Sequence, residues 1–125
     1  MFVVNEKNYI LMTRGDIGNL VVTASQEDGS AFIFHKNDIV RLTVVEKNKY
    51  NEVLIRKDIK VAEESDTVVI SLSSNDTRFG PVINKPVDYY YEVEVNPETS
   101  PQTIIGHDEN GPKIFRLYPE GGSNQ

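Results

Sequence analysis

The longest alternation of apolar and polar residues in the chain covers residues 87–96. Its odd-numbered positions are all valine or tyrosine, while its even-numbered positions are mostly acidic and include Tyr90. Successive side chains of a β-strand point to opposite faces, so this pattern predicts a strand with one apolar and one wet face. Pro86 and Pro97 flank this run. Because proline has no backbone N–H to donate, we expect the hydrogen-bonded pairing of the strand to end there. We predict that it forms a central strand.

Further short apolar runs, separated by turn residues such as Asp28-Gly29, follow one another along the chain. No long stretch has helical periodicity, and residues 47–52 predict an exposed hairpin loop. This pattern predicts an all-β domain of about eight or nine short antiparallel strands, as a sandwich or small barrel. Besides 87–96, the predicted strands are residues 9–12, 20–24, 31–34, 39–46, 53–59, 67–72, 102–106 and 113–118.

The composition limits the classes of partner. The 125 residues fit one domain, and the net charge of −6 disfavours binding to a phosphate backbone because basic residues are interleaved with acidic ones. No apolar run approaches the ~20 residues of a transmembrane helix, and residues 1–8 lack the pattern of a signal peptide. With no cysteine, the fold depends on packing alone. We therefore expect a soluble protein made in the cytosol that binds neither nucleic acid nor membrane.

The residues that carry catalytic chemistry form no recognisable motif. His35 and His107 lack the close spacing of paired metal ligands, and no serine lies in a nucleophile elbow. Glu92 and Glu94 share one face of the predicted strand, where they are most simply interpreted as a solvated surface. The sequence therefore predicts a non-enzymatic protein without metal or cofactor.

Two recognition features can be interpreted in more than one way. The tripeptide at residues 14–16 is Arg-Gly-Asp, which matches an integrin-binding motif but is also a natural turn. Tyr90 is predicted to point outward beside acidic residues, where it either packs within the domain or anchors an interface. Tyr50, in the polar loop, is a second exposed aromatic candidate.

Several short motifs occur in a fixed order along the chain. Taken together, they resemble small structural proteins from the tail and baseplate gene clusters of phages of Gram-positive bacteria, and of related phage-tail-like bacteriocins. In that group a TRGD turn opens the domain, a DT followed by glycine precedes a YxYD-like strand, and a T-I-I strand precedes the last one. The match covers roughly residues 9 to 118, with an insertion at 81–86 and Glu92 where an aspartate is more usual. The motifs are residues 13–16, 27–29, 36–38, 39–45, 75–77, 79–80, 89–93, 103–105 and 115–117.

This resemblance implies an immunoglobulin-like β-sandwich that serves as a non-enzymatic adaptor or decorating module of a phage tail or baseplate. Its partners would be other virion proteins, met as a homo-oligomer or symmetric array. The protein would be made in the host bacterial cytoplasm and end in the virion. Two alternatives stay open: a capsid decoration or head-associated protein, and a carbohydrate-binding module that uses Tyr50 and Tyr90.

The predicted organisation has three parts. Residues 1–8 form an N-terminal arm or first strand, 9–118 the sandwich domain, and 119–125 a polar tail. The apolar start, Phe2, Val3 and Val4, is interpreted in two ways. These residues either dock on a neighbouring subunit or form the first strand of their own sandwich. We treat all three as interface candidates.

Overall fold

A computed structural model describes residues 1–121, apart from the side chain of Tyr50. This part of the chain contains no helix and nine strands, in agreement with the predicted all-β class. The strands are β1 (Phe2–Val4), β2 (Ile10–Thr13), β3 (Gly18–Val22), β4 (Ile39–Glu46), β5 (Lys49–Lys60), β6 (Val68–Leu72), β7 (Val87–Val95), β8 (Gln102–Ile105) and β9 (Lys113–Tyr118).

The large sheet has seven strands in the order β1-β2-β9-β7-β4-β5, with β8 also paired to β7. The alternating segment is therefore a central strand, as predicted, with β4, β8 and β9 as its neighbours. Tyr91, Val93 and Val95 on its apolar face are buried. The residues on its other face are half-buried rather than open to solvent. This second face is therefore partly covered.

One strand pair departs from the predicted antiparallel arrangement. β2 and β9 are parallel, with Ile10 opposite Phe115 and Thr13 opposite Tyr118. The sheet is therefore mixed, and the prediction of a wholly antiparallel fold is wrong at this pair. Half-buried strands show the same alternation in either direction, so the residue pattern carries no information about the direction of a distant partner.

The second sheet is small and consists of β3 and β6, paired antiparallel. Its inward side chains, such as Leu20 and Ile70, and the inward side chains of the large sheet form one hydrophobic core. Loop residues complete this core between the two sheets. The largest of the fully buried side chains are Phe34, Phe115, Ile10, Met12, Leu20, Leu42, Ile70, Leu72 and Leu117.

Residues 31–34 do not form the predicted strand. Ala31 makes an isolated bridge with Ser25, and Phe34 makes another with Ser65, without a continuous ladder. The apolar pattern has a different origin here: Phe34 is fully buried and its ring packs edge-on against Phe32, 5.2 Å away between centroids. This segment is a core-filling loop.

The predicted loop at 47–52 is shorter than expected. The strands β4 and β5 are joined by a turn at residues 47–48 only, and β5 already begins at Lys49. A polar sequence is compatible with a strand here because β5 is an edge strand of the large sheet. Register shifts next to Val45 interrupt the regular pairing of this hairpin.

Both ends of the described chain belong to the domain. Phe2 to Val4 form β1, the first strand of the protein's own large sheet, as one of the two interpretations expected. The Phe2 ring occupies the space above Gly18, so β1 adjoins β3. In the expected polar tail, Glu120 is largely buried and pairs with Arg78 at 2.8 Å. Residues 122–125 lie outside the described part.

Candidate functional site

The Arg-Gly-Asp turn is a structural clamp in this fold. Arg14 is only 8% exposed, and its Nη2 donates hydrogen bonds to the carbonyl oxygens of Arg78 at 3.2 Å and Gly80 at 3.0 Å. Its Nη1 lies 3.9 Å from the carboxylate of Glu120. An arginine held in this way by the loop and the tail has little surface with which to bind a receptor. The integrin interpretation therefore has no support in the geometry.

Thr77 joins the same cluster from the other side. Its hydroxyl accepts a hydrogen bond from the backbone N–H of Gly15 and lies 3.0 Å from the carbonyl oxygen of Asp16, to which it donates. Gly15 has φ +85°, a conformation that glycine adopts without strain. The TRGD segment and the DT segment followed by glycine, about 60 residues apart in the chain, thus lie against each other. Nothing in their separate patterns predicts this contact.

The outer face of β7 carries a cleft of about 250 Å³. Tyr90 and Glu92 of β7 line it, with Val45 from β4 opposite Tyr90. His107 and Pro112, from the loop between β8 and β9, line it as well. The strand pattern predicted Tyr90 and Glu92 on one face, but only the folded loop creates a concave site there.

Glu92 is the unusual charge on this face. Two other charged pairs lie on this face: Arg41 forms a two-pronged ion pair with Asp58, and Arg116 another with Asp88. Within the described part of the chain no basic side chain forms an ion pair with Glu92.

Burial raises the pKa of Glu92, and the adjacent Glu94 raises it further by its charge and a hydrogen bond. The backbone of Gly106 contributes to this burial, since a Cβ built there would lie 3.7 Å from that of Glu92. Glu92 is half-buried, so the interpretation of this face as a solvated surface is wrong for Glu92. The one sequence signal for this burial is Gly106, the glycine that follows the T-I-I strand.

The raised pKa of Glu92 predicts a pH-dependent stability. Between the ordinary glutamate pKa of about 4.3 and the raised folded value, the folded protein binds more protons than the unfolded chain, so stability falls as pH rises. We expect Glu92→Gln to be more stable than the native protein at pH 7, by less than about 1 kcal/mol because the site is partly solvated. Urea unfolding from pH 4 to 8 should show the difference shrink toward pH 4.

The exposed Glu109 offers a control that removes the same charge from the loop. Glu109→Gln should change the free energy of unfolding by less than Glu92→Gln at pH 7. A Glu92→Gln protein with an advantage at every pH, or with none at pH 7, would contradict the assignment of a raised pKa to this carboxyl.

The interface candidates lie at two different places. Phe2, Val3 and Val4 are together in the edge strand β1, with Phe2 half-buried and both valines exposed. Tyr90 is half-buried in the cleft at the centre of the large sheet, so the fold does not bring it to β1. The side chain of Tyr50 lies outside the described residues.

The described residues hold no group of three or more His, Asp or Glu side chains that could bind a metal ion. His35 is exposed, and its Nδ1 lies 3.0 Å from Oε1 of Glu64. His107 lies in the loop between β8 and β9 that lines the cleft. In residues 1–121 there is no helix with the length and hydropathy to cross a bilayer. A scan against protein-family models and searches of curated proteins and of solved structures found no match to this chain.

Proposed function

We propose that this protein is a non-enzymatic structural component of a phage tail or baseplate, acting through protein–protein contacts in a symmetric assembly. It is supported by the motif resemblance and by one observation, the exposed apolar side chains carried on or beside three neighbouring strands, β1, β3 and β6. Nine large apolar side chains are exposed in the described residues, and six of them lie on or directly beside β1, β3 and β6. A concentrated apolar surface is typical of an interaction site.

We define the apolar edge as Val3, Val4, Ile17, Val21 and Val69. Val21 and Val69 are directly opposite each other on the outer face of the small sheet. Ile17, just before β3, is 73% exposed. β1 adjoins β3 through Phe2 and Gly18, so the edge strand and the small sheet form neighbouring parts of the surface. Covering these side chains in an assembly would stabilise it by about 25 cal/mol for each Å² of apolar surface removed from water.

The strand order supports the immunoglobulin-like form of the proposal. In a variable-type immunoglobulin sandwich, strands G, F, C and C′ form one sheet and B and E belong to the other. Here β9-β7-β4-β5 in the large sheet and β3-β6 in the small sheet follow the same sequence of strands. The chain has no tryptophan and no cysteine, so it would be a member without the tryptophan and disulfide of antibody domains.

The location in the virion is tested by fractionation. Particles of a phage that carries this gene are purified, tails are separated from heads, and mass spectrometry measures the ratio of this chain to the major tube and capsid proteins. We expect it with tails at a low, symmetric copy number. Enrichment with heads near the capsid ratio would favour the decoration alternative. Absence from both fractions would overturn the virion assignment and favour the carbohydrate-binding alternative.

A matched pair of substitutions tests the apolar edge. Val21 and Val82 are both 58% exposed, but Val82 lies in the loop before β7 and not on β1, β3 or β6. We expect Val21→Lys to reduce incorporation into particles at least about tenfold, because an interface core tolerates a buried unpaired charge poorly. Val82→Lys should incorporate normally. Thermal melting of both purified variants should stay close to that of the native protein, since surface substitutions usually change stability by less than about 0.5 kcal/mol.

Equal incorporation of the two variants would contradict a role for the apolar edge. It would leave the fractionation result unaffected, so the surface and the location are tested separately.

A further inference from the structure

The cleft on β7 combines an aromatic wall with a carboxylate that has no cationic partner in the described chain. Tyr90 and Glu92 are two residues apart on the same face of the strand, so their positions along the strand differ by roughly 7 Å. One long side chain can therefore reach both. Pro112 and Val45 supply further apolar contact to the stem of such a side chain.

The size of the cleft argues for a single side chain as its occupant. Its volume of about 250 Å³ is below the roughly 300–1,000 Å³ of pockets that hold drug-sized ligands. The loop that begins at Gly106 closes one side, so the cleft is not a flat platform on which several sugar rings could stack. A protruding residue of a partner protein fits these limits.

The carboxylate of Glu92 favours a cation in the cleft, while the ammonium of Lys113, which also lines it, is already paired with Asp108 at 2.8 Å. A carboxylate that is partly removed from water and lies beside a second carboxylate is stabilised when a positive group approaches. The face of a tyrosine ring also attracts cations, and the Lys47 ammonium already lies 5.9 Å from the centroid of Tyr90. The net charge of −6 would steer basic partners toward the protein.

We propose that this cleft binds an arginine side chain of a partner protein. The planar guanidinium can stack on an aromatic ring and at the same time form a two-pronged hydrogen bond with a carboxylate, which an ammonium cannot do. Tyr90 would supply the ring and Glu92 the carboxylate. This binding site is separate from the apolar edge and does not depend on the virion assignment.

The test uses a small probe, the peptide acetyl-Gly-Arg-Gly-amide, titrated into the ¹⁵N-labelled protein and followed by NMR. We expect saturable shifts confined to the amides around residues 90–92 and 106–112, with a dissociation constant on the order of 1–10 mM, as befits one side chain. The matched peptide with citrulline in place of arginine has the same shape without the charge. It should bind at least about tenfold more weakly.

Two variants separate contact from general charge. Glu92→Gln should weaken binding of the arginine peptide about tenfold, whereas Glu109→Gln, which removes the same charge from the loop, should change it less than about twofold. Thermal melting verifies that both variants are folded. Equal binding of the citrulline peptide, equal effects of the two variants, or no saturable shift at the highest soluble peptide concentration would each overturn the proposal.

Discussion

Replacing Arg14 with alanine is expected to lower the free energy of unfolding by about 2–4 kcal/mol. The substitution removes both hydrogen bonds that Nη2 of Arg14 donates to the carbonyls of Arg78 and Gly80, and it opens a space beneath the loop that holds them. Glu120 would also lose the nearby guanidinium of Arg14. Urea unfolding, with the m-value monitored, measures the change.

Arg78 provides the matched control. Its side chain is 50% exposed and pairs with the same Glu120, so Arg78→Ala should cost less than about 1 kcal/mol. Arg14→Lys should fall between the two, because an ammonium keeps the charge but cannot reproduce the planar donor geometry. An Arg14→Ala protein no less stable than Arg78→Ala would show that the clamp contributes little to folding.

Replacing Phe115 with alanine is expected to cost about 3–5 kcal/mol. Phe115 is fully buried at the centre of β9, between Ile10 of the parallel neighbour and Tyr89 of β7. Its ring also lies 6.5 Å from the ring of Phe79, between centroids. The loss is a large share of the roughly 5–15 kcal/mol that holds a typical domain folded. Calorimetry should show the Tm fall by roughly 10–20 °C.

The neighbouring Ile114 is a direct comparison, because it occupies the same strand but points to the half-buried outer face. Ile114→Ala should cost about 1 kcal/mol. If the two alanine variants lost equal stability, the assignment of the inner face of β9 to the core would be wrong.

Much of the strand pattern was predictable from local residues, and two segments were exceptions. Residues 39–46, 102–106 and 113–118 form strands within a residue of the expected limits. Residues 31–34 show that an apolar run can fill a core without forming a continuous ladder, because burial needs only contact whereas a strand needs consecutive hydrogen-bonded pairs. The start of β5 shows the reverse. Its polar sequence predicts a loop, but it forms a strand because an edge position in the sheet permits polar residues.

The candidate site was predictable only in part. The alternation of β7 correctly grouped Tyr90 with Glu92 on one face, since that follows from the two-residue period of a strand. The burial of Glu92 and the walls formed by His107 and Pro112 depend on how the loop after β8 folds back. That loop conformation has no signal in the pattern of β7.

The sequence by itself determined the all-β class, the central position of β7 and the turn at 13–16, because alternation, proline and glycine act over a few residues. Tertiary structure decided that β2 lies parallel to β9 and that Arg14 meets Gly80. It also decided that β1, with its exposed valines, adjoins β3 of the small sheet. These features depend on contacts between segments far apart in the chain. Such contacts are selected by packing and loop geometry, which no local pattern encodes.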